Sequence, residues 1–268
     1  MIKKARVKKN NTKFAVLFVL FVFVIILISA VLKVASVIRQ SKFDGNNRFT
    51  ISVSNNKNLE VISFSPNNHS ISTLRIEDGK KDLKLGQFLK IPMDGFIMGD
   101  SLKTDKDISG LMNDILFSYN KIKTNLTIID ILRLVFASKT TALNNIEVYS
   151  ISISWDENRI DKIVEKIFKD EEIEKENQTI EIINTTDIGG LGGRLAKLIA
   201  NMGGGVIQVS TRNNNPQKES LILYNGKKTF TVDKLNKVLG FKPTISSKQS
   251  IADITIIIGE DNKDPLTF

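Results

Sequence analysis

Nineteen consecutive residues, Phe14 to Leu32, read FAVLFVLFVFVIILISAVL and carry no charge. As a helix, such a run is about 28 Å long, close to the ~30 Å hydrocarbon core of a bilayer. A helix can cross lipid because all its backbone hydrogen bonds are internal. The run therefore predicts a transmembrane helix over 14–32. Two other readings compete. A cleaved signal peptide has a shorter apolar stretch of about 7–15 residues, although Ile28-Ser29-Ala30 makes a passable small-residue site. A buried helix of a soluble domain is seldom this long or this rich in Phe and Val. An uncleaved anchor is the expectation.

Charge supports it. Met1 to Lys42 holds nine basic residues (Lys3, Lys4, Arg6, Lys8, Lys9, Lys13, Lys33, Arg39, Lys42) and no acidic one. Taking these from the 38 Lys and Arg of the chain leaves 29, equal to its 29 Asp and Glu. The net +9 thus belongs to the span and its flanks, and the remainder is neutral. Six cations precede the span, which by the positive-inside rule puts 1–13 in the cytoplasm as a basic tail and everything beyond Lys42 outside. Anionic headgroups suffice as partners for these cations, so membrane lipid is expected and nucleic acid is not. With no Cys and a single His, thiolate zinc, iron–sulfur clusters, disulfides and Cys nucleophiles are excluded, and a Ser-His-Asp triad is improbable.

Beyond a polar spacer at Ser41–Asn47, period-two alternation predicts strands at Arg48–Ser54, Leu59–Ser65 and Ser70–Glu77, the last two joined as a hairpin by Pro66-Asn67-Asn68. A short helix near Asp82–Lys90, an extended Met93–Asp100, helices at Asp107–Tyr119 and Thr127–Ser138, and a strand at Ile146–Ser154 follow. Thr127 and Asp130 suggest a capping box. From Asn158, apolar residues at Ile160, Ile163, Val164, Ile167 and Phe168 mark one helix face, fading into an acidic linker whose charges read as solvated. The last segment alternates strand Thr179–Ile183, helix Leu191–Met202, strands Val206–Ser210 and Ser220–Tyr224, helix Thr231–Leu239 and strand Ile254–Ile258. The Asn213–Gln217 loop, with Pro216, reads as a turn. The class is α/β (α+β): an N-terminal transmembrane helix followed by two small extracytoplasmic α/β domains, 43–155 and 178–262, with 156–177 between them.

TIEIINTTDIGGLGGRLAKLIANMGGGVIQV, later ADITIIIGED, resembles the C-terminal domain found after LytR–CpsA–Psr catalytic domains. In that family a strand runs into an Asn-Gly-Thr-like turn, a Gly and a helix, and a last strand closes with Gly-Lys-Asp. Here the turn is Asn184-Thr185-Thr186 and the ending is Gly259-Glu260-Asp261. A second, weaker likeness covers Phe49 to Ile153. LEVISFSPNNHSISTLRI is similar to the LytR–CpsA–Psr opening, with Ser72-Thr73-Leu74-Arg75-Ile76 standing where the family has Ser-Ile-Pro-Arg-Asp. FLKIPMDGFIMGD resembles its Ile-Pro-Ile-Asp segment. The likeness implies arginines on a lipid pyrophosphate, acidic residues on magnesium and transfer of a glycopolymer to peptidoglycan. Only Arg75 matches, since Pro and Asp are replaced by Leu74 and Ile76. From Arg48 to Ile153 the arginines are Arg48, Arg75 and Arg133, and Arg133 fits a solvated helix face. A pyrophosphate wants several guanidiniums. The first domain therefore reads as a degenerate relative, and no catalytic residue, cofactor or metal is expected.

Candidate ligand-binding residues are Asn184, Thr186 and Arg194 beside the glycine turn, and Arg75. Gly189-Gly190-Leu191-Gly192-Gly193-Arg194 lies between a strand and a helix, where an anion can meet free N–H groups. Leu195 breaks the dinucleotide pattern and no Walker lysine follows, so close helix–strand packing is the simpler use. Gly203-Gly204-Gly205 reads as a helix stop. His69 reads as an exposed turn residue, and Asp105 with Asp107, or Asp94 with Asp100, as ordinary loop carboxylates before a hard-cation site. Trp155 reads as core or interface packing. The expected function is a single-pass envelope protein displaying a non-catalytic binding module for glycopolymer, peptidoglycan or envelope proteins. A divergent glycopolymer phosphotransferase and a purely structural scaffold are the alternatives.

Overall fold

The computed structural model describes residues 12–78, 83–104, 107–212, 216–246 and 250–262. Residues 1–11 of the basic tail, Asp82, Asp105 and Asn213–Asn215 lie outside them.

Helix α1 runs from Thr12 to Gln40, longer at both ends than the apolar run, because Lys33 and Arg39 do not interrupt helical backbone. It is long and apolar enough to cross a membrane, and its most apolar stretch has no protein cover among the described residues.

The first α/β unit is built on a six-stranded sheet. Its strands are β1 (Phe49–Ser54), β2 (Leu59–Ser65), β3 (Ser70–Glu77), β4 (Gly95–Met98), β5 (Lys123–Thr124) and β6 (Ile146–Ser152). They lie in the order β5-β4-β1-β2-β3-β6, an antiparallel β1–β2–β3 meander with β4 and β6 parallel at its flanks. Successive side chains on β2 alternate between two cores. Ile62 and Phe64 join Phe43, Phe49, Ile71 and the buried sides of α3 (Ile108–Phe117) and α4 (Ile128–Thr140). Leu59 and Val61 join Leu74, Ile76, α2 (Leu85–Leu89) and α5 (Glu157–Phe168) on the other face.

That second core corrects the domain boundary. The segment 156–177 is two helices, α5 and α6 (Glu171–Glu176). Ile160, Val164, Ile167 and Phe168 complete the first unit, and Ile173 enters the core of the second. The acidic residues are not simply solvated. Glu171 meets the Arg48 guanidinium at 3.0 Å and accepts from the Ser65 hydroxyl, while Glu176 accepts from the Phe230 and Thr231 amides at 2.8 Å. Burial raises the Glu176 carboxyl's pKa, but the bonds from Thr231, Phe230 and Thr229 outweigh it and hold the group below its ordinary value. Asp170 faces Lys234 at 3.7 Å, both almost fully buried, and the Lys234 ammonium also donates to the Arg48 carbonyl. From the far side, the Asn201 amide donates to the carbonyls of Leu89 and Lys90. The two units are joined through these polar contacts, with Arg48 Nε, Asp170 Oδ2 and Asn201 Oδ1 buried there without a hydrogen-bond partner among the described residues.

The spacer is corrected in the same way. Phe43 is 2% exposed, and Asp130 in the first turn of α4 accepts from the Ser41 hydroxyl (2.7 Å) and from the amides of Lys42 and Phe43 (2.8 Å each). Its other oxygen closes the expected capping box with Thr127. Arg133 donates to the Ser41 hydroxyl and the Phe43 carbonyl, so it ties the end of α1 to α4 where a solvated side chain was expected.

The second unit is a five-stranded sheet in the order β10-β9-β11-β7-β8: β7 (Thr179–Asn184), β8 (Gly205–Thr211), β9 (Leu221–Tyr224), β10 (Lys242–Ile245) and β11 (Ile254–Ile258). The short β10, paired parallel to β9, was not expected from its sequence, since Pro243 argues against a strand. At the sheet edge the missing N–H is tolerated. Helices α7 (Leu191–Asn201) and α8 (Phe230–Leu239) cover one face, packing on Ile180, Ile182, Ile222, Ile254, Ile256 and Ile258.

Candidate functional site

The Asn184 turn is built inward. Asn184 and Thr186 are each 1% exposed. The Asn184 amide oxygen accepts from the Thr186 amide and hydroxyl, and its nitrogen donates to the Ile188 carbonyl at 2.8 Å. These groups are spent on shaping the strand-to-helix turn, leaving little for a ligand. Gly190 takes the left-handed φ of 75° that starts α7 without a side-chain cap, and Gly192 brings the helix against β8, where a Cβ would sit 2.9 Å from Val209. Arg194 stays exposed on the helix, so the expected constellation of Asn184, Thr186 and Arg194 does not converge on an open site. The closing motif is structural too. Asp261 accepts from the Ser220 amide and hydroxyl, the Ser220 hydroxyl in turn accepts from the Gly259 amide, and a Cβ on Gly259 would lie 2.6 Å from the Glu219 backbone.

The open space lies across the sheet from the helices. On β7, β8, β9 and β11 the side chains that alternate with the core residues line a groove of about 620 Å³. Glu181, 6% exposed, is on its floor. It accepts from the Ser250 hydroxyl at 3.3 Å, and Arg212 stands 4.0 Å away, largely exposed. Ser250 also shares a hydrogen bond with Thr255. Gln208 is paired opposite Glu181 and exposed, and Ser210, opposite Ile183, has a buried hydroxyl with no partner among the described residues. Leu223 and Ile257 give the same groove an apolar side. Its volume suits a small ligand or a few units of a polymer. A carboxylate, an amide, a guanidinium and aliphatic side chains spread along an extended surface match a ligand that offers many hydroxyls and apolar C–H faces.

Residues 177–261 match the model of the family described as LytR cell envelope-related transcriptional attenuator. This segment is a LytR C-terminal domain. Among solved structures, a Listeria innocua protein, Lin1025, overlaps with 46% of this chain and 97% of its own, at 10% identity and a TM-score of 0.34. The transcriptional regulator yvhJ from Bacillus subtilis covers 40% of this chain and 83% of its own at 14% identity and a TM-score of 0.31. TagV from B. subtilis covers 40% and 85% at 12% identity and a TM-score of 0.29. No curated protein matches the chain in sequence.

The groove on the LytR C-terminal domain was missed from sequence because its residues are ordinary strand residues from four segments. The alternation of Ile180 and Ile182 with Glu181 in TIEIIN was the one available signal. In the first unit, Arg75 pairs with Glu60 directly across β2 and β3 (Nε–Oε1 2.9 Å). Burial pushes the Glu60 carboxyl above its ordinary value against the pull of Arg75. Arg48 donates to Ser63, three residues along β2 from Glu60, so it works on the opposite face of the sheet. With Arg133 at the end of α1, the three arginines are engaged in three separate places. Asp94 accepts from the Thr50 amide and Asp107 caps α3. Among the described residues, no three His, Cys, Asp or Glu are placed to hold a metal ion. His69 is exposed, and Trp155 packs on the second core of the first unit beneath the Arg159 guanidinium, 3.5 Å from the ring centre.

Proposed function

We propose that this is a single-pass protein of the cytoplasmic membrane, N-terminus inside, whose outer units display a non-catalytic binding module to the cell envelope. Helix α1 supplies the anchor, and the cations before it favour this orientation. The first unit is a degenerate LytR–CpsA–Psr relative serving as the rigid support. The ligand is a glycopolymer or peptidoglycan strand lying along the open sheet face of the LytR C-terminal domain. The observation that carries this reading is that open face. It gathers buried Glu181, exposed Gln208 and Arg212, and Leu223 without any structural task that needs all four.

The non-catalytic part is supported by the engagement of Arg75 with Glu60 and the separation of the three arginines. A neutral outer part also gives little long-range pull on an anionic substrate. Binding of the purified full chain to isolated cell-wall sacculi is the test. Retention should fall several-fold in the double variant Gln208→Ala/Arg212→Ala, which alters exposed side chains, its fold checked by circular dichroism. Retention equal to that of an unrelated envelope protein, or unaffected by the double variant, would refute the groove as the site.

A further inference from the structure

Helix α4 has two faces. Ile131, Leu134 and Val135 are in the core, while Ile129, Leu132 and Phe136 follow one another at helical spacing on the outside. Leu132 is 46% and Phe136 69% exposed, and Ile129 is half-buried. Beside this stripe opens a groove of about 460 Å³, mostly apolar, bounded by Phe64, Pro66 and Ile71.

The position of this face relative to α1 identifies what covers it. The end of α1 touches α4, with Ala35 and Val37 half-buried at its last turns. Ser41, Lys42 and Phe43 are bound directly to Asp130, and Arg133 closes the junction from the same helix. No free linker separates the two helices. The 29 residues of α1 make it about 44 Å long. That exceeds the ~30 Å hydrocarbon core and equals the ~40–45 Å of a bilayer with its headgroups. A helix that spans therefore ends at headgroup level, and α4 is fixed to it there. Arg39 and Lys42 are exposed at the junction, where anionic headgroups would meet them.

We infer that the Ile129–Leu132–Phe136 face of α4 lies in the outer interfacial layer of the same bilayer that α1 crosses. It makes a second, monotopic contact that seats the first unit on the lipid surface. This rests on the membrane reading of α1.

The cysteine-free chain allows a direct test. Single variants Leu132→Cys, Phe136→Cys, Phe21→Cys in α1 and Lys162→Cys on α5, across the sheet from α4, are labelled with an environment-sensitive fluorophore. The full chain is reconstituted into phosphatidylethanolamine/phosphatidylglycerol vesicles carrying nitroxides either high or deep on the acyl chains. The labels at 132 and 136 should lose emission to the high nitroxide, the label at 21 to the deep one, and the label at 162 to neither. Quenching at 21 with none at 132 or 136 overturns the inference and leaves the anchor standing. No quenching at 21 overturns both. Dipolar coupling between copies through spin labels at 132 and 136, without lipid quenching, would assign the face to a second copy and likewise overturn it.

Discussion

The two sheets of this molecule are of similar size but treat their faces differently. Over its three central strands the first is covered on both sides, by α3 and α4 on one and by α2 and α5 on the other. Every residue of β2 is buried. Among the described residues the second is covered on one side only, and β8 is half-buried or exposed along its whole length. A sheet sealed on both faces has nothing to offer a ligand except at its rims, and there its arginines already hold carboxylates and carbonyls. A sheet with one free face keeps an extended array of side chains in fixed register. The contrast favours the proposal of support in the first unit and recognition in the second.

The largest effects should follow that division. Ile62→Ala and Leu74→Ala, on opposite faces of the first sheet, and Ile182→Ala, on the covered face of the second, should each lower stability by about 2–4 kcal/mol in denaturant titrations. Ile257→Ala, on the free face, should cost under about 1 kcal/mol. An equal loss at Ile257 would mean that this face is not free. A smaller effect tests whether Arg75 is structural. Arg75→Ala strands the buried Glu60 carboxylate and should cost about 2 kcal/mol. Glu60→Gln removes the buried charge and lets the half-exposed Arg75 turn to water, for a loss under about 1 kcal/mol. The reverse order would point to a role for Arg75 beyond this pair.

The smallest effect concerns acid. At Asp130, burial raises the pKa, and the bonds from Phe43, Ser41 and Thr127 outweigh it, so the folded value lies below the ordinary 3.8. A carboxylate depressed in this way contributes fully above the ordinary value and loses that contribution as pH falls through the folded one. Amide exchange at Lys42 and Phe43 should show equal protection at about pH 7 and about pH 5, once corrected for intrinsic rates, and should accelerate once the solution is acidified below 3.8.

Much of the fold was legible because its signals are local. Alternation marked β1–β3 and β7, the Thr127–Asp130 pair marked the start of α4, and the uncharged run marked α1. What escaped depended on distant partners. The run DEEIEKE looks like solvent-facing charge until Arg48, Lys234 and the start of α8 are brought to it from far along the chain. Arg133 looks like a surface residue until the end of α1 folds back on it. Strand Lys242–Ile245 forms because β9 offers it an edge, against the preference of Pro243. For the site, the turn at Asn184 was visible as a motif, but motif and binding surface proved to be different things. The motif residues make the turn, and the free face of the same strand makes the groove.

The hydrogen bonds at Asp130 and the contacts around α6 have a mechanical consequence. With α1 fixed to α4, and the first unit fixed to the second through Arg48, Asp170 and Lys234, the anchor and the groove belong to one stiff lever. In a membrane, such a lever holds the groove at a set height and lets it sweep only as far as α1 can tilt. On the proposed function, it would meet wall material at one depth, acting as a gauge of the distance between lipid and polymer where a flexible tether would let it search.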